Sequence, residues 1–246
     1  MSILTEFKGR KAYMDHVEGN RLSDAGKLEQ ADAKYRAALE NYAKAAADQS
    51  CKSNYLAAYS VLLMRYRRFD EAMEILRRAD KMRMGKQDKL NLRINYSICQ
   101  WKTGRLDAAI ELMKSVFNDL KNSVVYGSLG YMLIEKATQT GDFSEAQAFN
   151  QEAYEYDDED AVVLDNLGQM YLRMGDKAKA LEYFERAHEE KPKQVDTLYY
   201  LSKLYVEQGK KDEARSLLET ALRGNFSALC TTTREMAQEL YDSIKA

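Results

Sequence analysis

The residues able to do chemistry are few and scattered. The histidines are His16 and His188, and the cysteines are Cys51, Cys99 and Cys230. A zinc site needs three or four convergent ligands, and a nucleophilic triad needs a base beside its nucleophile. No local spacing in the chain offers either. No CxxC occurs, so the thiols read as free, partly buried cysteines of a reducing compartment, with the cytoplasm as the expected location. No GxGxxG or GxxxxGK[ST] is present to cradle a phosphate. Gly127-Ser128-Leu129-Gly130 superficially resembles such a loop, but on a helix its small residues serve close packing. The acidic run Asp157 to Asp160 lacks the DxDxDG of a calcium loop and reads as an N-terminal helix cap. The expectation is no metal, no cofactor and no enzyme.

The elements that must position these residues are helices. Pro192 is the only proline in 246 residues and there are 12 glycines, too few of either for many tight hairpins. A formal net charge of −2 gives no global attraction to nucleic acid or to an anionic membrane. Apolar runs such as Val61 to Met64 are far too short to span a bilayer. The first residues lack the apolar stretch of a signal peptide.

A repeat runs along the chain. Leu164, Leu167, Gly168 and Tyr171 are followed by Gly175, Asp176, Ala180, Phe184, Ala187 and Pro192. Leu198, Leu201, Ser202, Tyr205, Gly209, Ala214, Leu218 and Ala221 repeat that spacing, with Ala180 and Ala214 34 residues apart. Working back gives the anchors Ala31, Ala72, Ala109 and Ala146. Gly19, Ser60, Ser97, Gly130, Gly168 and Ser202 supply a small residue on each preceding helix, so that two antiparallel helices can approach closely. Ala31 to Ala72 spans 41 residues, which predicts an extended helix from Leu28 to about Ala47. Ala72 to Ala109 spans 37 residues, with the extra length near Met82 to Gln87. Leu129-Gly130 lies farther from Ala146 than Leu167-Gly168 does from Ala180, which predicts a first helix one turn longer, ending near Thr140-Gly141.

These residues resemble the tetratricopeptide repeat, with Leu164 where that family often has Trp. The resemblance covers all but about the first ten residues. It implies an all-α, right-handed superhelical solenoid of about six helix-turn-helix repeats: 12–50, 53–88, 90–122, 123–160, 161–194 and 195–228. A capping helix over 229–246 would follow, and no Ser/Gly/Pro-rich linker divides the array. No single repeat buries its apolar face alone, so neighbours stack.

The resemblance also implies function: a scaffold or adaptor that binds a peptide or helix of another protein in a concave groove lined by the first helix of each repeat. Its ligand-facing positions fall on Asn20, Val61, Met64, Arg65, Ile98, Trp101, Lys102, Tyr131, Ile134, Gln169, Arg173, Tyr199 and Lys203, with His16, Asp24, Ala57, Ile94, Glu135, Asp165 and Glu207 beside them. The middle of this set is apolar and aromatic, which suits anchors for a partner, while Arg65, Lys102, Arg173 and Lys203 would read its polar flanks. Stacking that buries several of these between helices remains the other reading. The carboxylate clamp of co-chaperones is broken: Asn20 fits and Asn95 fits in a shifted register, but His16, Ala57, Ala58, Asn91 and Ile94 stand where polar or basic types are needed. Arg65 to Arg93 carries ten basic residues against five acidic, and Asp142 to Asp165 nine acidic and none basic. Such patches allow self-association into a homo-oligomer as the alternative role.

Overall fold

The computed structural model describes residues 2–227 and 229–245. Among them the chain forms thirteen α-helices and no strand, an all-α helical-repeat fold of the solenoid class. Consecutive helices pack in pairs: α1 (Ile3–Asp24) with α2 (Leu28–Ala46), α3 (Ser53–Arg65) with α4 (Phe69–Asp80), α7 (Ser123–Thr140) with α8 (Ser144–Tyr156), α9 (Ala161–Met174) with α10 (Lys177–Glu190), and α11 (Val195–Glu207) with α12 (Lys211–Arg223). Between them run α5 (Lys86–Lys102) and α6 (Leu106–Asp119), tied by the Ser97 hydroxyl donating to the Ala109 carbonyl at 2.7 Å. The last helix, α13 (Arg234–Lys245), packs on α12 and α11. Two compact units emerge, residues 1–112 and 113–246.

Each pair is held together at the small residue of its first helix. A Cβ on Gly19 would sit 2.6 Å from the ring of Tyr35, and one on Gly168 would sit 2.7 Å from the ring of Phe184. The serine versions work differently. Ser60 and Ser202 are buried but bond their hydroxyls to backbone, Ser60 to the Ala57 carbonyl at 2.7 Å and Ser202 to the Leu198 carbonyl at 2.6 Å. Sixteen residues after each of these glycines stands a ring (Tyr35, Phe184), and sixteen after each of these serines stands a buried leucine (Leu76, Leu218). A flat ring pressed to the backbone leaves no room for a Cβ, whereas a narrower leucine tolerates a hydroxymethyl group. The helix-B alanines Ala31, Ala72, Ala109, Ala146, Ala180 and Ala214 are all buried.

The irregular lengths fall as the sequence predicts. α2 runs 19 residues and α7 runs 18, ending on Gly141 at φ 80°. Gly175, at φ 88°, ends α9 in the left-handed region that residues with a Cβ rarely enter. The corresponding turn after α3 is made by Arg67 at φ 58°, the one non-glycine residue with positive φ among the described residues. Gly127 and Gly130 lie inside α7. Their bare backbone lets Asn166 and Asn150 donate to the Gly127 and Gly130 carbonyls at 2.8 and 3.2 Å. Asp160 caps α9, its Oδ1 accepting from the Val162 and Val163 amides. Asp157 to Asp160 is therefore a helix entry.

Two boundaries differ from expectation. α1 begins at Ile3, two turns before the first repeat position, because Ser2 caps it by accepting from the Thr5 amide. The final helix begins at Arg234 and not at Leu229. Asp196 captures the Thr231 and Thr232 amides in an irregular segment, and the Thr233 hydroxyl caps the helix by accepting from the Met236 amide. His188, expected on an exposed turn, sits half-buried in the last turn of α10.

Candidate protein-binding surfaces

In the first unit the first-helix positions converge on Tyr35. Its hydroxyl donates to Asn20 Oδ1 at 2.8 Å, and the Arg65 guanidinium lies 4.2 Å from its ring centroid. Cation and ring attract through the ring quadrupole, which holds the Arg65 head in one place at the surface. His16 is buried edge-on to Tyr35 and Tyr42. Burial first, and then the Arg65 charge, pushes its imidazole down to about 4, so it is neutral at pH 7 and is part of the packing. Lys102 stands 3.7 Å from the centroid of the half-buried Trp101 ring. Val61 is exposed.

In the second unit Arg173 donates to the Tyr131 hydroxyl at 2.8 Å and to Thr138 Oγ1 at 3.3 Å, its guanidinium 5.3 Å from the Tyr131 centroid. Lys203 lies 5.8 Å from the Tyr199 ring. Beneath them is a buried polar knot. Asp165 accepts from Thr197 Oγ1 at 2.6 Å and from Gln169 Nε2 at 2.7 Å, while Gln169 Oε1 is buried without a partner. Burial, and next the charge of Asp196, pushes the Asp165 carboxyl up to about 7.

The apolar anchors are mostly not available. Met64, Ile98, Tyr131, Ile134 and Tyr199, and the polar Gln169, are all less than one-tenth exposed. The reason is that successive first helices pack directly on each other, α3 on α5, α7 on α9 and α9 on α11, and the inner edge of each covers its neighbour. The sequence-derived set therefore divides. Asn20, Val61, Arg65, Trp101, Lys102, Arg173 and Lys203 keep surface, and the other six serve the packing.

Two sequence families described as tetratricopeptide repeat match residues 171–227 and 131–195. No curated protein sequence matches the chain. Among solved structures, a thermophilic tetratricopeptide protein of Thermus thermophilus superposes with a TM-score of 0.65 at 19% identity, covering 78% of this chain and 98% of that one. Cut9–Hcn1, a hetero-tetramer of APC/C, gives a TM-score of 0.58 at 14% identity over 99% of this chain and 47% of that one, so this chain spans about half its length.

Residues 131–227 are tetratricopeptide repeats, set in a helical-repeat solenoid. Repeats of this family generally mediate protein–protein association and assembly. Among the described residues no three His, Cys, Asp or Glu gather to hold a metal, and no helix is long and apolar enough to cross a membrane. Cys51, Cys99 and Cys230 are free thiols, the first two buried.

Sequence reasoning missed Tyr35 as the hub of the first surface, because it is a second-helix residue and enters only as a marker of the repeat. It also missed that the Asp196 charge acts on the buried Asp165 carboxyl. The repeat gave no signal for it, because the two stand 31 residues apart and the 34-residue register places Asp165 on Tyr199.

Proposed function

We propose that this protein is an interaction scaffold whose first-helix face, in each unit, takes an acidic segment of a partner protein. One observation carries the reading. Every basic residue expected on that face is held against an aromatic ring: Arg65 on Tyr35, Lys102 on Trp101, Arg173 on Tyr131 and Lys203 on Tyr199. A cation whose side chain is already ordered loses less rotamer entropy when it binds a carboxylate. The buried state of Met64, Ile98 and Ile134 removes the apolar anchors, so charge leads recognition.

The test is a titration of the full chain with fluorescein-labelled Glu/Asp-rich peptides and with Gln/Asn twins of the same length. The acidic peptides bind and perturb Trp101 emission, and Arg65→Ala and Arg173→Ala each weaken binding several-fold to tenfold. Equal affinity for the neutral twins, or full binding in both variants, refutes the reading.

A further inference from the structure

The outer face of α1 carries an apolar ridge that nothing in the first unit covers. Ile3, Phe7, Arg10, Met14, Val17 and Arg21 recur at alternating steps of four and three, the spacing that keeps one seam of a helix facing a partner helix. Ile3 is 92% exposed, Phe7 63%, Met14 64% and Val17 50%. The ridge lies opposite the buried stripe of Thr5, Gly9, Ala12, His16 and Gly19. Six of the thirteen exposed large hydrophobics among the described residues belong to this one helix.

The repeat register says what normally covers such positions. Met14 and Arg21 correspond, 41 residues on, to Tyr55 and Leu62. Both of those are buried, with the Tyr55 ring lying over Gly9 of the preceding pair. In the second unit the same offsets give Val163, Met170, Thr197 and Leu204, all buried. What covers these positions in later repeats is a helix from the pair before. Among the described residues no helix covers these positions on α1, and the face they form is apolar.

The charges on the ridge select the occupant. Arg10 stands in its middle, and the carboxylate one turn before it, Glu6, is committed elsewhere: it accepts from the Tyr55 hydroxyl at 3.0 Å and pairs with Lys52 at 2.9 Å. Arg21 is held by Glu18. Two arginines and no carboxylate lie on the ridge itself, so two copies meeting ridge to ridge would place four guanidinium groups in one apolar seam. Between Ile3 and Val17 the helix has three basic and two acidic residues, a weak bias for an anionic lipid surface. We infer that the outer face of α1 docks an amphipathic helix of a partner protein, seated where a preceding repeat would lie, whose apolar ridge carries a carboxylate opposite Arg10. The residues from Ile3 to Arg21 present about 27 Å of seam at 1.5 Å per residue. This surface is separate from the first-helix face proposed above, and either can fail alone.

The probe is a synthetic 21-residue helical peptide with a Leu/Ile ridge and one Glu placed to meet Arg10, together with a twin bearing Lys there. Binding to the full chain is followed by fluorescence anisotropy. The Glu peptide binds at least tenfold more tightly than the Lys twin, Arg10→Glu reverses that order, and Phe7→Ser with Met14→Ser abolishes binding of both while the circular dichroism is unchanged. Equal binding of the twins, or an unchanged order in Arg10→Glu, overturns the inference. So does a dimer that Phe7→Ser disperses, which would make a second copy the occupant. Binding to phosphatidylserine vesicles that the same variant removes, without peptide discrimination, would assign the ridge to lipid and also overturn it.

Discussion

The first and last helices meet the same problem in opposite ways. α13 buries Ala237 and Ile244 with the partly buried Met236, Leu240 and Tyr241, closing a cluster with Tyr199, Ala214 and Leu218. Its outer side shows Arg234, Glu235, Gln238, Glu239, Asp242 and Ser243 to solvent. α1 buries only small or polar side chains apart from Leu22, and turns Ile3, Phe7, Met14 and Val17 outward. Of the two, only α13 sets apolar residues inward and a polar side outward, as a cap does. The difference lies in the distribution of apolar residues around the helix, and on α1 it leaves an apolar side uncovered among the described residues.

Four measurements break or sharpen that contrast. Leu218 is fully buried under the cap, so Leu218→Ala should cost about 2–5 kcal/mol in urea unfolding, a large-to-small loss in a packed site. A loss below about 1 kcal/mol would mean that α13 does not close a core. Asp196 accepts from the Thr231 amide at 3.0 Å, the Thr232 amide at 2.7 Å and the Thr231 hydroxyl at 3.1 Å, tying down the segment that leads into the cap. Asp196→Ala should cost about 1.5–3 kcal/mol, the range for hydrogen bonds to a charged group. Hydrogen exchange at residues 229–233 should rise with it.

Asp165 gives the third. Its carboxyl is raised from 3.8 to about 7 by burial and by Asp196, facing also Thr197, Gln169 and Arg173. The folded state therefore holds a proton that the unfolded chain has already released, and stability falls as pH rises from about 4 through about 7. Asp165→Asn keeps an acceptor for Thr197, and with the Gln169 amide turned over its new Nδ2 donates to Gln169 Oε1 in place of the bond that Oδ2 accepts from Nε2. It should stabilise the chain by about 1–2 kcal/mol at pH 8 and flatten that slope. A variant that is less stable at pH 8 would show that the charged form is the one the site holds. The smallest effect belongs to the open end. Phe7→Ser should change stability by no more than about 0.5 kcal/mol, and a loss of several kcal/mol would mean that the ridge is part of a core after all.

The repeat itself was legible because it is local. Gly, Tyr, Ala and Phe at fixed offsets report how two helices of one hairpin touch, and even the long α7 follows from the distance between Gly130 and Ala146. The exposure of the first-helix face was not legible, because first helices within each unit pack on one another and Met64, Ile98 and Ile134 are buried. That is a property of stacking, which one repeat's residues do not encode. The start of α13 was missed because the bonds that delay it come from Asp196, 35 residues away from Thr231. The α1 ridge was in plain view as alternating steps of four and three, but it begins outside any repeat position and so escaped a reading keyed to the repeat.

The rule of glycine facing a ring and serine facing leucine has a practical reach. The hairpins that follow it are keyed, and each key is a pair of residues sixteen apart. Anyone shuffling these hairpins to build new arrays would have to transplant both halves together. Moving a serine into the first hairpin while leaving Tyr35 behind would wedge the two helices apart, because a Cβ on Gly19 already meets that ring at 2.6 Å.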